Sequence, residues 1–297
     1  MTHQKIKVSD TYKSLDTEEW LDMVFTRPVG LLWVRLFIRL GFTPNVVTLL
    51  SIVLGIAAGV LFYFDSLSLN VLGILLLIQA NIFDSTDGQM ARLTGQKSRL
   101  GRVLDGVAGD LWFITIYASI CLRLQPQWGW WVWPLGAIAG LGCHTRQARL
   151  ADYYRNIHLR VLKGAKESEL DHSSSLRQEY QSLTWRANWI WKIFLLFYIS
   201  YTQAQERVTP CFQTFRHQLF AEQHYREPFL AGSRPLMPMA NFLTFNARAI
   251  TLYLSILIGL PWLYFVVEIT LFSAVYAVMR HRHERLCATL ASQTESC

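Results

Sequence analysis

The chain has 297 residues, of which 52% are hydrophobic and 16% are charged, and its formal net charge is +7. Soluble domains are about one quarter charged, so this composition argues against a soluble domain and indicates a membrane protein with several spans. Nucleic-acid binding, another common reason for a basic chain, is disfavoured because no basic run is combined with polar recognition elements, and the five scattered cysteines lack the CxxC pairs of a zinc site.

The first predicted element is an amphipathic helix in the N-terminal segment 1–43. Arg35 and Arg39 stand four residues apart, among apolar residues of the stretch 17–40. This pattern is typical of a helix that lies on the cytoplasmic surface of a membrane. A soluble helix packed against the rest of the protein is the alternative.

Six apolar stretches follow, and their length of about 20 residues predicts an all-α integral membrane protein with six transmembrane helices. The predicted spans are 44–64, 68–92, 101–123, 128–148, 243–259 and 262–280. A tight turn is expected at Gly259-Leu260-Pro261, between the last two. Two basic clusters, Lys97–Arg99 and Arg280–Arg285, both fall on the cytoplasmic side if both termini lie inside.

The polar stretch 151–242 is predicted to be a cytoplasmic or interfacial helical insert between the transmembrane regions 44–150 and 243–280. Within it, residues 189–203 are apolar but short and carry Lys192, which favours an interfacial or buried helix over a seventh span. Residues 164–184 are polar and rich in serine, which predicts a solvated turn or loop. Residues 281–297 form the predicted cytoplasmic tail.

Acidic side chains interrupt the ends of the second and third spans. Asp84 and Asp87 are three residues apart, and Asp105 follows Gly101 by four. Two antiparallel helices could therefore bring three carboxylates to one point. Their mutual repulsion is relieved by a hard cation with oxygen ligands, which predicts a site for Mg²⁺ or Mn²⁺. Helix capping or ion pairing with nearby arginines is the structural alternative.

The same stretch reads D-x2-D-G-x2-A-R-x8-G-x3-D, which resembles the signature of the CDP-alcohol phosphatidyltransferase family. The matching residues are Asp84, Asp87, Gly88, Ala91, Arg92, Gly101 and Asp105. The resemblance implies a metal-dependent enzyme in which an alcohol attacks a CDP-linked alcohol and CMP leaves. It also implies that the three aspartates bind the metal, that the glycines and the Ala91-Arg92 region cradle the cytidine diphosphate, and that the protein forms a homodimer.

The fourth aspartate of the signature, the usual candidate base for the acceptor hydroxyl, is displaced. Position 109 is glycine and Asp110 follows it, which on a regular helix turns the carboxylate by about 100° and moves it by about 1.5 Å. A π-bulge between Asp105 and Asp110 would compensate, and this hypothesis makes Asp110 the base. His144 is the alternative base; an acceptor that needs little deprotonation, or an inactive homologue, are further alternatives.

Three arginines near the ends of the fourth and fifth spans are candidates for binding an acceptor or its phosphate: Arg146, Arg149 and Arg248. A guanidinium suits bidentate contact with an oxyanion. Ordinary anchoring at the membrane surface is the alternative for each. Glu268, in the sixth span, is expected to pair with a basic or polar neighbour.

The favoured function is phospholipid synthesis, with a phosphatidyl group transferred from CDP-diacylglycerol to a polar alcohol such as inositol phosphate. The active site is expected to face the cytoplasm from a bacterial inner membrane. An alternative within the same chemistry transfers a phosphoalcohol from a soluble CDP-alcohol to diacylglycerol or ceramide. A non-catalytic ion-binding or transport protein is the alternative of another class, disfavoured because the polar residues gather at one depth instead of spreading through several spans.

Overall fold

The computed structural model describes residues 14–96, 98–165 and 168–292. Every regular element within these ranges is helical, which confirms the all-α class. Parts of the predicted segments lie outside the described residues: 1–13 of the N-terminal segment, Lys97 after the second span, 166–167 of the insert and its predicted loop, and 293–297 of the tail. The chain forms two compact units, one with residues up to 145 and 245–271, the other with residues 146–244 and from 272 onward.

The helices are, in chain order, α1 (Arg27–Arg39), α2 (Pro44–Leu61), α3 (Leu67–Thr94), α4 (Arg99–Trp128), α5 (Val132–Ala137), α6 (Thr145–Lys163), α7 (Ser173–Ser182), α8 (Trp185–Val208), α9 (Pro210–Ala221), α10 (Arg226–Ser233), α11 (Met237–Phe242), α12 (Phe245–Leu257), α13 (Trp262–Val267) and α14 (Ser273–Ser292). Helices α1 to α5, α12 and α13 belong to the first unit, and the others to the second.

Four helical stretches of the described chain are long and apolar enough to cross a membrane: Pro44–Leu61, Leu67–Thr94, Val103–Lys163 and Trp262–Ser292. Together with the length of these stretches, their hydropathy indicates an integral membrane protein. These four stretches do not fix the number of spans, so the six spans stay a prediction. Helix α12 has only 13 residues, and Val103–Lys163 is one helical stretch of 61 residues.

The long stretch Val103–Lys163 turns back on itself at Gly129, whose φ of +67° lies in the left-handed region that glycine adopts without strain. The Trp133 indole donates a hydrogen bond to Gln125 Oε1 at 3.0 Å, close to the turn. Further from the turn, Tyr117 Oη lies 3.3 Å from His144 Nδ1. The helical segments on the two sides of Gly129 are therefore antiparallel neighbours.

The predicted turn at Gly259 is confirmed. Helix α12 ends at Leu257, Gly259 has a φ of +73°, and α13 begins at Trp262. The side chains of Arg248 and Glu268 form an ion pair between the two arms of this hairpin.

The core of the first unit is built around α2, which packs against both α3 and α4. At Gly55 a Cβ would stand 2.1 Å from Trp112 Cδ1, and at Gly59 a Cβ would stand 3.1 Å from the backbone nitrogen of Ile116. Small residues that let helix backbones approach are typical of helix packing in membranes. The side chains that α4 buries in this core recur every four residues: Ala108, Trp112, Ile116, Ile120 and Leu124.

The predicted N-terminal helix is present, but its regular part begins only at Arg27, after a π-helical turn over Asp22–Thr26. Its apolar face packs on α3, where Leu31, Val34 and Phe37 join Phe83 and Met90 in one cluster. Arg35 and Arg39 are exposed on the opposite side. The location of α1 on a membrane surface stays a prediction.

The second unit contains most of the predicted insert. The expected loop over 164–184 is wrong for Ser173–Ser182, which form α7. The beginning of α7 is fixed by Glu206, which accepts bonds from the Ser173 backbone at 3.0 Å and from its hydroxyl at 2.6 Å. The predicted interfacial segment 189–203 lies within α8, where Lys192 is buried and donates to Tyr180 O at 2.7 Å.

Replacement of Gly55 by alanine tests the packing of α2 on α4. The new methyl group would overlap the Trp112 ring, so we expect Gly55→Ala to reduce the free energy of unfolding by about 1–3 kcal/mol. Gly109→Ala on α4 is the control, because a Cβ there meets nothing within 4 Å. The measurement is the thermal midpoint of both variants in the same detergent; equal midpoints would contradict this packing.

Candidate active site

The structure brings together the carboxylates of Asp84, Asp87 and Asp105, each of which has an oxygen within 4.8 Å of the others. Asp84 and Asp87 lie near the end of α3, and Asp105 lies near the beginning of α4. Asp87 is buried, whereas Asp105 is exposed. The cluster therefore extends from the interior of the first unit to its surface.

A short connection between α3 and α4 causes this convergence. Helix α3 ends at Thr94 and is followed by Gly95, whose φ is +71°. Helix α4 is capped by Ser98, whose hydroxyl accepts a bond from Gly101 N at 2.9 Å. The same hydroxyl donates to Asn45 Oδ1 at 3.2 Å. A Cβ at Gly101 would stand 2.8 Å from that amide oxygen, so glycine at this position lets α4 begin beside α2.

Helix α2 also orients the buried member of the cluster. The Thr48 hydroxyl donates a hydrogen bond to Asp87 Oδ2 at 2.5 Å. Thr48 and Asn45 are not among the site residues predicted from the sequence, although both lie at the beginning of the first predicted span. Their roles became visible only with the packing of α2 against α3 and α4.

The residues present fit a divalent cation. Three converging carboxylates make an oxygen-only donor set, the preference of Mg²⁺ and Mn²⁺. Arg92 lies within electrostatic range of Asp87 and Asp105, and its Nη1 atom stands 3.4 Å from the place of a Cβ on Gly88. The predicted nucleotide-cradling residues Gly88, Ala91, Arg92 and Gly101 thus belong to the two helix ends that carry the aspartates.

The predicted π-bulge between Asp105 and Asp110 is wrong. Helix α4 is a continuous α-helix over Arg99–Trp128, and its stripe of buried residues at every fourth position requires regular turns in this part of the chain. Asp110 therefore projects about 140° around the helix from Asp105, and its side chain is exposed. The geometry gives no support to Asp110 as the base.

His144, the alternative base, belongs to a buried polar network inside the helix bundle. Its ring packs on Phe113 with centroids 4.2 Å apart, and the Tyr117 hydroxyl beside it donates to Tyr264 Oη at 3.3 Å. Phe113 lies about 12 Å along α4 from Asp105. This separation argues against His144 as a base at the cluster.

The surroundings of Arg248 argue against the predicted phosphate contact. Its side chain is 1% exposed and pairs with Glu268, which is fully buried. The charge of the guanidinium is therefore already neutralised inside the hairpin of α12 and α13. The expectation that Glu268 pairs with a basic neighbour is confirmed.

The two other predicted arginines line a cavity in the second unit. Arg146, Arg149, Arg207 and Tyr276 surround a volume of about 240 Å³. The guanidinium of Arg149 also lies over the Tyr201 ring, 5.0 Å from its centroid. Within the described ranges, no carboxylate forms an ion pair with any of these three arginines. Arg207 was missed from the sequence because nothing in its local pattern links it to α6.

Comparison with known proteins agrees with the motif. Residues 42–163 match the model of the CDP-alcohol phosphatidyltransferase family, which contains all three clustered aspartates. The chain is thus similar to this family over residues 42–163. A protein of Aquifex aeolicus (strain VF5) named "Bifunctional IPC transferase and DIPP synthase" is 29% identical over 99 residues, which are 33% of this chain and 22% of that protein. The match thus spans less than a quarter of this relative.

Removal of one partner of the Arg248–Glu268 pair tests its structural assignment. Arg248→Met leaves a buried carboxylate without its partner, so we expect a loss of about 3–5 kcal/mol in the free energy of unfolding. The double variant Arg248→Met with Glu268→Leu should recover most of that loss. Thermal unfolding in detergent measures both. A single variant as stable as the unmodified protein would contradict the assignment.

Proposed function

We propose that this phosphotransferase makes a phospholipid by transferring a phosphatidyl group from CDP-diacylglycerol to a polar alcohol, with release of CMP. The observation that carries the proposal is the convergence of the carboxylates of Asp84, Asp87 and Asp105. Three acidic groups this close gain most from a divalent cation. In a family defined by CDP-alcohol substrates, such a cation has a diphosphate to bind.

In this proposal Asp84, Asp87 and Asp105 hold Mg²⁺ or Mn²⁺, which when bound stabilises negative charge on the diphosphate. Gly88, Ala91 and Gly101 have short side chains, so the nucleotide can approach the backbones of α3 and α4. Arg92 contributes a guanidinium that can donate to phosphate oxygens. The position of Arg92 above Gly88 supports this role.

The proposed acceptor is a phosphorylated polyol such as inositol phosphate, bound through Arg146 and Arg149. Support comes from the cavity in the second unit, where these two arginines and Arg207 face a common volume. A cluster of guanidinium groups is suited to a phosphate. The printed name of the Aquifex relative also includes an IPC transferase.

We place the protein in a bacterial inner membrane as a six-span homodimer whose active site faces the cytoplasm. The antiparallel segments around Gly129 and the hairpin at Gly259 support six spans. The basic stretch of α14 from Arg280 to Arg285 supports the cytoplasmic side through the positive-inside rule.

Release of CMP is the direct test of the proposed activity. The purified full chain in nanodiscs with Mn²⁺ should release CMP from CDP-diacylglycerol only when a polar alcohol is added, and fastest with inositol phosphate. Release from a soluble CDP-alcohol with diacylglycerol or ceramide would instead establish the reverse assignment of donor and acceptor. Absence of CMP with every pair, from folded protein, would favour a non-catalytic ion-binding role.

Substitution of the clustered aspartates tests the metal assignment. Asp87→Asn and Asp105→Asn should each lower the rate of CMP release by at least ~10²-fold, because a metal ligand is lost. Mn²⁺ affinity, measured by electron paramagnetic resonance, should fall in parallel. Asp65→Asn is the charge-matched control, since that side chain is 88% exposed and pairs with Arg123. Near-normal rates and Mn²⁺ affinity in both site variants would refute the assignment.

A further inference from the structure

Helices α7 and α8 form a hairpin in the second unit, and the outer face of α7 is polar. The two helices pack through a buried cluster in which Leu176 of α7 joins Leu195 and Ile199 of α8. The exposed side chains of α7 are all polar: Ser174, Ser175, Arg177, Gln178, Gln181 and Ser182. This side of the hairpin is therefore suited to water.

The outer face of α8 carries an apolar stripe. Its members recur at intervals of three or four residues, which places them on one side of the helix. They are Trp189, Ile190, Ile193, Leu196 and Phe197, and we refer to them as the α8 stripe. Trp189 is 57% exposed and Phe197 is 74% exposed, so nothing in the described part of the chain covers the stripe.

Polar contacts on the opposite side of α8 fix the direction in which the stripe points. Lys192 is buried and donates to Tyr180 O at 2.7 Å and to Leu183 O at 3.0 Å. Gln205 donates to Arg149 O at 2.9 Å. These bonds hold the rotation of α8 about its axis, so the α8 stripe points away from the second unit.

Charges at the two ends of the stripe indicate an anionic partner. Arg186 lies one turn before Trp189, Arg207 lies near the end of α8, and both side chains are exposed. The one acidic residue of α8, Glu206, already accepts hydrogen bonds from the Ser173 backbone and hydroxyl. An apolar face that begins with tryptophan and is flanked by arginines is typical of a helix in a membrane interface.

Two other environments for the stripe fit the structure less well. Helix α8 has 24 residues, but it is not among the four stretches of the described chain that are long and apolar enough to cross a membrane. A second copy of the chain would bring arginine against arginine whether the two stripes paired parallel or antiparallel, because both ends are basic. Such juxtaposition of like charges is unfavourable.

We propose that the α8 stripe inserts into the interface of an anionic lipid leaflet and docks the second unit on it. Ile193, Leu196 and Phe197 enter the boundary between headgroups and acyl chains, to a depth of about 5–10 Å. Arg186 contacts lipid phosphates, and the positive charge of Arg207 adds to the attraction. The polar face of α7 stays in water. This inference goes beyond the proposed transfer reaction and does not depend on it.

Photocrosslinking in the full chain identifies what contacts the stripe. Phe197 is replaced by p-benzoylphenylalanine, and the protein is irradiated in nanodiscs of equal phosphatidylglycerol and phosphatidylcholine. Gln178 receives the same group as the control, because it is exposed on the polar side of the same hairpin. We expect mass spectrometry to find at least ~10-fold more protein–lipid adduct at position 197 than at position 178, because acyl chains contact only the α8 side.

The headgroup of the crosslinked lipid tests the contribution of charge. Phosphatidylglycerol should exceed phosphatidylcholine among the adducts at position 197. Arg186→Gln should lower that ratio by about two- to fivefold, the effect of one basic residue near an anionic surface. Arg177→Gln is the matched control, because this arginine is exposed on α7, and it should leave the ratio unchanged.

Several results would overturn the proposal. A protein–protein adduct of doubled mass at position 197, without lipid adduct, would favour a second copy of the chain. Equal lipid adducts at positions 197 and 178, adducts at neither, or a headgroup ratio that is even and unchanged in Arg186→Gln would also contradict it. If the variant at 197 fails to fold, Ile193 carries the photoreactive group instead, since it lies one turn earlier on the stripe. Release of CMP plays no part in these measurements, so their failure would leave the proposed function standing.

Discussion

The closeness of three like charges is the constraint on which the rest of the first unit depends. Carboxylates within 4.8 Å of one another repel by about 3–4 kcal/mol per pair at an effective dielectric constant near 20. Packing elsewhere must offset that repulsion. Helix α2 contributes to this packing, because it contacts both α3 and α4. Gly55 and Gly59 let α2 and α4 pack closely, and the Thr48 hydroxyl donates a hydrogen bond to Asp87.

Three π-helical turns of the described chain carry polar side chains that make the long-range contacts of the first unit. The π-helical turns Asp22–Thr26, Ile138–His144 and Glu268–Phe272 contain, respectively, the carboxylate held by Asn246, the buried histidine and the acid that pairs with Arg248. A π-turn adds one residue to a helix and rotates all that follows. The π-bulge predicted in α4 is absent, and the π-helical turns lie in these three elements instead.

Much of this arrangement could be predicted from the sequence, because it depends on local spacing. Apolar runs predicted the helices, and the distances between Asp84, Asp87 and Asp105 predicted their convergence. The error at Asp110 had a visible warning: Ala108, Trp112, Ile116 and Ile120 already recur at intervals of four, a pattern that a bulge would break.

Other features depend on contacts between residues that are distant in the sequence, and no local pattern contains them. Glu268 satisfies Arg248 from the other arm of a hairpin, and Asn246 reaches Asp22 across more than two hundred residues. Helix α7 lies in a polar, serine-rich stretch, and Glu206 of α8 accepts two hydrogen bonds from its first residue, Ser173. None of these contacts can be recognised without the packed fold.

The first unit is discontinuous in the chain, since residues 146–244 belong to the second unit. During synthesis the three clustered aspartates therefore emerge long before α12 and α13. Until that hairpin is made, Asp22 lacks its amide partner Asn246, and the interior lacks the neutral pair of Arg248 with Glu268. Because chains are made from the N-terminus, the first unit can complete its packing only after the whole second-unit segment 146–244 and the hairpin of α12 and α13 have left the ribosome.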